Sequence, residues 1–228
     1  VSSGCNSVWN ISHLLSRKTP SKINMAISIR AGVCKRCPCN HEFELSSVSV
    51  MGIRRFEDKA PQLGKRVYVD EDATVIGEVT LGDDCSVWPK AVIRGDMHAI
   101  RIGARVSIQD NAVLHITHDS TFNPGGFGLQ IGDDVTLAHQ AMLHGCTLGN
   151  RVMVGMPAII MDGAIVEDDV IVAARSLVGP GKHLESGYLY RGQPARQVRP
   201  LTEKEKAFLP YVAGNYVRLK DRYLKSSS

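Results

Sequence analysis

The sequence predicts an all-β solenoid closed by one C-terminal α-helix, and three observations carry that expectation. An aliphatic residue recurs at every sixth position: Val69, Val75, Leu81, Val87, Ile93, then in a new phase Ile102, Ile108, Leu114. After an interruption the run is Ile131, Leu137, Leu143 and, one residue short, Leu148, Val154, Ile160, Val166, Val172, Val178. The next residue is often small or acidic (Gly82, Gly103, Gly132, Gly149, Gly155, Glu167, Gly179), and the fifth of each unit is small or branched (Ala73, Val79, Val106, Val135, Val152, Val170). A long amphipathic helix repeats at about 3.6 residues, and a β-sandwich places turn signals at roughly 8–12-residue intervals; neither fits. Short strands joined by bends, each sending its aliphatic residue into a shared interior, do fit.

Residues 1–50 stand apart. They are Ser-rich, hold no acidic residue before Glu42 and show no sustained period. Basic, acid-poor composition fits an organelle transit peptide. Cys34-x-x-Cys37-x-Cys39-x-His41 has thiolates spaced to chelate zinc, although all these ligands crowd into one short stretch. The third reading, which we prefer, is a leader, fusion scar or mis-assigned start, disordered or removed, with Met51 opening the protein proper. Residues 51–200 form the solenoid, with the Gly/Pro-containing stretch after His115 as its loop. At its end, Gly192–Arg196 turns the chain out of the repeat. Residues 201–225 form the helix: Thr202 and Glu205 make a capping box, and Phe208, Tyr211, Val212, Tyr216, Leu219 and Tyr223 recur at helical spacing. Pro210 must kink or divide this helix, and Gly214 weakens it.

Composition narrows the function. The chain has 228 residues, 43% hydrophobic and 22% charged, which suits one globular domain. A net charge of +4, spread along the chain, with 6% aromatic residues offers no stacking platform for nucleic acid. No apolar run approaches the roughly 18 residues of a membrane span. Cys85 and Cys146 in the repeat are no disulfide framework, which points to a reducing, cytoplasmic compartment, or an organelle if residues 1–50 are a transit peptide.

Chemistry concentrates between His115 and His144. His115 and His144 each follow a repeat leucine and so hold the same place in the unit, with His139 close by in sequence. Three imidazoles leave a fourth coordination position open, as in a catalytic rather than a structural zinc site. Neutral imidazole also suits iron(II), cobalt and nickel, so the donors favour zinc without excluding these.

The motifs V-I-R94-G-D96, I-G-A-R-V-S-I-Q109-D110-N-A-V-L-H115 and L-A-H139-Q-A-M-L-H144-G resemble those of gamma-class carbonic anhydrases, nearest the bacterial YrdA-like branch. The six-residue repeat itself resembles the hexapeptide-repeat superfamily. That resemblance covers residues 51–225 and implies a left-handed parallel β-helix of three units per coil, assembled as a homotrimer with sites between subunits. It implies that His115 and His144 come from one subunit and His139 from its neighbour. The metal would acidify a bound water so that hydroxide attacks carbon dioxide, giving bicarbonate. Arg94 and Asp96 match an interface pair, with either a substrate role or a purely structural one. Gln109 would orient carbon dioxide or the bound water, and Asp110 would hold Arg94 or a histidine tautomer. Tyr216, with Asn215, would reach the same cleft from the helix.

Two departures from the family stand out. Met97 follows Asp96 where the family has a glutamate, and the loop after His115 lacks the shuttle glutamate, offering His118 and Asp119 instead. Histidine is the side chain whose unperturbed charge change falls near neutrality, so His118 is the candidate proton shuttle in that loop. The alternatives are an acyl-CoA-dependent transferase or thioesterase of the same superfamily, and a non-catalytic metal-binding trimer that serves assembly. An acetyltransferase needs a single histidine as general base.

Overall fold

The computed structural model describes residues 52–226. The Cys34–His41 zinc reading, the transit-peptide reading and the start at Met51 all lie outside the described residues.

The chain winds into a left-handed parallel β-helix of about eight turns with one C-terminal helix. The predicted aliphatic residues stack in register on three faces. On the first, Val75, Ile93, Leu114, Leu143, Ile160 and Val178 are successive partners. On the second the order is Leu63, Leu81, Ile102, Ile131, Leu148, Val166, Leu184. On the third it is Val69, Val87, Ile108, Leu137, Val154, Val172, Tyr190. Most of these are buried in one continuous core, together with the fifth-position residues Ala73, Val79, Val106, Val135, Val152 and Val170.

Every break in the six-residue phase falls at one corner, between the first and second faces. Extra residues enter there in the strand Val92–Ile102 and in the loop between Val113–His115 and Leu129–Ile131. The short step from Leu143 to Leu148 falls there too. The other two corners keep strict period. Between the second and third faces, coils touch backbone to backbone: a Cβ on Gly82 would lie 2.6 Å from the carbonyl of Gly103, and one on Gly103 2.7 Å from that of Gly132. Only glycine allows that spacing.

The solenoid ends differently from the expected single turn. Tyr188–Gly192 folds back antiparallel on Ala195–Pro200, and the helix follows this hairpin. Helix Glu203–Ser226 runs through Pro210 without dividing. Its capping box is formed: Thr202 N–H donates to Glu205 Oε2 at 2.9 Å, and Glu205 N–H to Thr202 Oγ1 at 3.3 Å. The helix lies on the third face, covering Ser86, Ser107 and Thr136 and burying its own Leu209, Ala213 and Lys220. Trp88 meets Tyr216 and Tyr223 edge-on, with centroids 6.0 and 5.2 Å away. No helix among the described residues is long and apolar enough to cross a membrane.

Candidate metal centre

Strand alternation sets the first pair of histidines. Leu114 and Leu143 point inward, fully buried, so His115 and His144 point outward, and the two are register partners. They stand at the corner of the first and second faces. His115 Nδ1 and His144 Nε2 face each other at 3.2 Å. Each ring turns its other nitrogen to a carboxylate: His115 Nε2 lies 3.2 Å from Asp96 Oδ1, and His144 Nδ1 2.7 Å from Asp162 Oδ1. An ionised carboxylate only accepts, so those nitrogens carry the hydrogens, and in the neutral rings the two facing nitrogens carry lone pairs. Burial pushes the His115 pKa below its ordinary value against the opposing pull of Asp96, which favours neutral imidazole. Burial raises Asp96, but its contacts with Arg94, His115 and its own backbone N–H outweigh that and hold its carboxyl low. Arg94 is paired with Asp96 at this edge.

His139 is elsewhere. It sits in the turn after Thr136–Leu137, at the corner of the third and first faces, stacked one coil beyond Asp110. Its Nδ1 lies 2.9 Å from Asp110 Oδ2, and both side chains are about half exposed in the single chain, 48% and 40%. Gln109, buried, is next to Asp110. Tyr216 reaches this edge from the helix: burial first, then the nearby charge of Asp110, raises its phenol. Asn215 is exposed on the helix, and His118 is exposed on the loop whose neck is the Thr117–Phe127 bridge. Asp119 Oδ1 accepts Gly125 N–H at 2.8 Å, so it shapes that loop.

Apart from His118, which stands on the exposed loop, the predicted residues form two groups on opposite edges of the first face. Arg94, Asp96, His115 and His144 occupy one; Gln109, Asp110, His139 and Tyr216 occupy the other. Among the described residues of one chain, no three His, Cys, Asp or Glu side chains come together to hold a metal ion. Asp162 and Thr117 belong to the first group and were not anticipated from sequence. Their only signal there is the coil spacing, which brings Asp162 under His144.

The coil, its three aliphatic columns and its terminal helix define a hexapeptide-repeat protein of the left-handed β-helix class. No family model matches the chain. It is 58% identical over 172 residues, 75% of this chain and 94% of the relative, to Protein YrdA of Escherichia coli (strain K12). It is 40% identical over 162 residues, 71% of this chain and 58% of the relative, to "Gamma carbonic anhydrase 1, mitochondrial" of Arabidopsis thaliana. Among solved structures, a hexapeptide transferase family protein from Anaplasma phagocytophilum superposes with TM-score 0.69 at 35% identity, covering 76% of this chain and 98% of that one. The chain belongs to the YrdA-like, gamma carbonic anhydrase-like family of hexapeptide-repeat proteins.

Proposed function

We propose that the protein is a homotrimeric, metal-dependent carbonic anhydrase-like enzyme that interconverts carbon dioxide and bicarbonate. One observation carries this reading: all three histidines have one ring nitrogen tied to a carboxylate (Asp96, Asp162, Asp110), leaving the other nitrogen as a lone-pair donor. Ligating imidazoles are held in this way in metalloenzymes. The 3.2 Å between the facing nitrogens of His115 and His144 also suits two ligands of one ion. With metal–nitrogen bonds of about 2.0–2.1 Å, a tetrahedral centre spaces its ligands by about 3.3 Å.

The three faces differ in what they offer a neighbour. The third is covered by the helix, and the second is largely polar, with Thr80, Arg101, Gln130, Thr147 and His183 outward. The first carries Val92, Val113, Met142, Ile159 and Leu177 outward, partly or well exposed. Turning that apolar face toward a three-fold axis would bring the His115–His144 edge of one chain to the His139 edge of the next, reuniting both groups.

A divalent metal held there would supply Lewis acidity, making hydroxide available at neutral pH. Zinc, iron(II), cobalt and nickel all suit this donor set. The chain's own residues would do the rest. Asp96 would keep Arg94 aimed at the mouth, where the guanidinium attracts bicarbonate. The buried amide of Gln109 would orient carbon dioxide, and Tyr216 and Asp110 would shape the opposite wall. His118, on the exposed loop, would pass protons to solvent in place of a glutamate. The likeness to a hexapeptide transferase family protein supports a transferase as the second reading, and an acyl-CoA-dependent transferase or thioesterase is the form we weigh. That chemistry needs one free histidine base, which leaves three carboxylate-bound histidines unaccounted for.

The test is stopped-flow carbon dioxide hydration by anaerobically prepared protein loaded with zinc or iron(II), with metal analysis. His115→Ala and His139→Ala should each be inactive, and trimers refolded from a mixture of the two should regain activity, since some interfaces then hold a complete set. Hydration rates in His115→Ala equal to those of the unaltered protein would refute the anhydrase reading, and acyl-CoA hydrolysis would then be assayed.

A further inference from the structure

The geometry points to Asp162, anchored by Thr117, as a positioning residue that selects the tautomer of His144 and aims its Nε2 at the metal. This rests on the reading that the histidines hold a metal, and it adds residues that neither the motifs nor the family resemblance singled out.

Asp162 lies in the turn after Ile159–Ile160, whose strand pairs with Met142–His144, so it comes up beneath His144 from the next coil. Both of its oxygens are engaged. Oδ1 accepts Nδ1–H of His144 at 2.7 Å, and Oδ2 accepts the Thr117 hydroxyl at 2.9 Å. A carboxylate held at both oxygens cannot rotate away, so the imidazole it grips has one plane and one tautomer. The alternative tautomer would set an Nδ1 lone pair against the carboxylate and a hydrogen on Nε2, opposite His115.

Local backbone is arranged to admit this carboxylate. A Cβ on Gly145 would lie 2.4 Å from Asp162 Oδ1 and 2.6 Å from Phe127 Cβ, and the residue has φ +52°. Gly163, immediately after Asp162, has φ +68° and would bring a Cβ 3.1 Å from the Phe127 ring. Gly163 N–H donates to Gly145 O at 2.7 Å, and Gly145 N–H to His115 O at 3.0 Å. Three consecutive coils are thereby stitched together at the corner where His115, His144 and Asp162 project. The glycine after His144 is needed because the carboxylate occupies the space a side chain would take.

The experiment measures zinc affinity by competition with a chromogenic chelator, and the visible absorption of the cobalt(II)-loaded trimer. Asp162→Ala should lower zinc affinity by about 10–100-fold, the usual range for losing such a partner. Asp162→Asn retains a carbonyl that can accept from Nδ1–H, and should recover most of the affinity and an unaltered cobalt spectrum. Zinc affinity of Asp162→Ala within about twofold of the unaltered protein, while His144→Ala abolishes binding, overturns the positioning role and leaves the metal reading intact. Equal losses in the alanine and asparagine variants refer the effect to charge and also overturn it. Zinc binding that His144→Ala does not weaken overturns both. If Asp162→Ala does not assemble, Thr117→Val carries the test: affinity should fall, and an unchanged value overturns the proposal.

Discussion

The helix that brings Tyr216 to the His139 edge is tied down by a buried charge, and removing its partner should release it. The Lys220 side chain is 0% exposed, with Nζ 2.8 Å from Asp84 Oδ1 and 2.5 Å from Asp221 Oδ1. Asp84 also receives Arg66 Nε–H at 2.9 Å. Breaking a buried pair costs about 3–5 kcal/mol when the remaining charge is stranded. Asp221 stays beside Lys220, so we expect Asp84→Ala to cost about 2–3 kcal/mol. The hydrogen bond from Arg66, against the opposing effect of burial and with help from Lys220, holds the Asp84 carboxyl down to about 2. A depressed folded-state value stabilises at pH above the unfolded carboxyl, about 3.9, and the contribution is lost as pH falls toward about 2. Trp88 reports the event because Tyr216 and Tyr223 pack on it. The chain has two tryptophans, so a Trp9→Phe background leaves Trp88 alone. Its fluorescence in urea at pH 7 should show Asp84→Ala released at lower denaturant, and acid titration should lose the component between about pH 4 and pH 2. Identical urea midpoints and acid profiles for both proteins would refute the assignment of Asp84 as the anchor.

Two further perturbations probe the coil and its open face. Gly103→Ala places a methyl 2.7 Å from the Gly132 backbone, whereas nothing lies within 4 Å of a Cβ on Gly179. Urea unfolding should show Gly103→Ala destabilised by about 3 kcal/mol or more, and Gly179→Ala within about 0.5 kcal/mol of the unaltered protein. Met142→Glu puts a charge on the apolar first face, where Met142 is 38% exposed. Light scattering should then find monomers in place of the proposed trimer, with far-UV circular dichroism unaltered; a persistent trimer would remove that face from the proposed interface.

Much of this architecture is legible along the chain because solenoid packing is local. Each coil touches only its neighbours, so inward residues must recur at a fixed interval, and the aliphatic positions from Val75 to Val178 all fall in the three interior columns. The capping box at Thr202 and Glu205 is local too, and it forms. The terminal hairpin was missed because Gly192 and Pro194 signal a turn without saying which strand returns beside which. Asp162 was missed for a related reason. It reads as an ordinary acidic corner residue, and only the coil register sets it under His144.

Periodicity settles which side chains face the interior, since a six-residue unit with alternating direction leaves no freedom there. It also assigns His115 and His144 to one repeat position. Which corner each histidine occupies is a property of three-dimensional winding. His139 and His144 are near in sequence, yet the width of the first face separates them, because the strand between them crosses it. The pairing of each imidazole with its own aspartate, and of Lys220 with Asp84 across 136 residues of chain, likewise depends on contacts between coils and on helix docking. Coil spacing hints at the His144–Asp162 pair, but no single spacing rule encodes all of these contacts, because the distance along the chain that joins them changes with every insertion at the first-to-second corner.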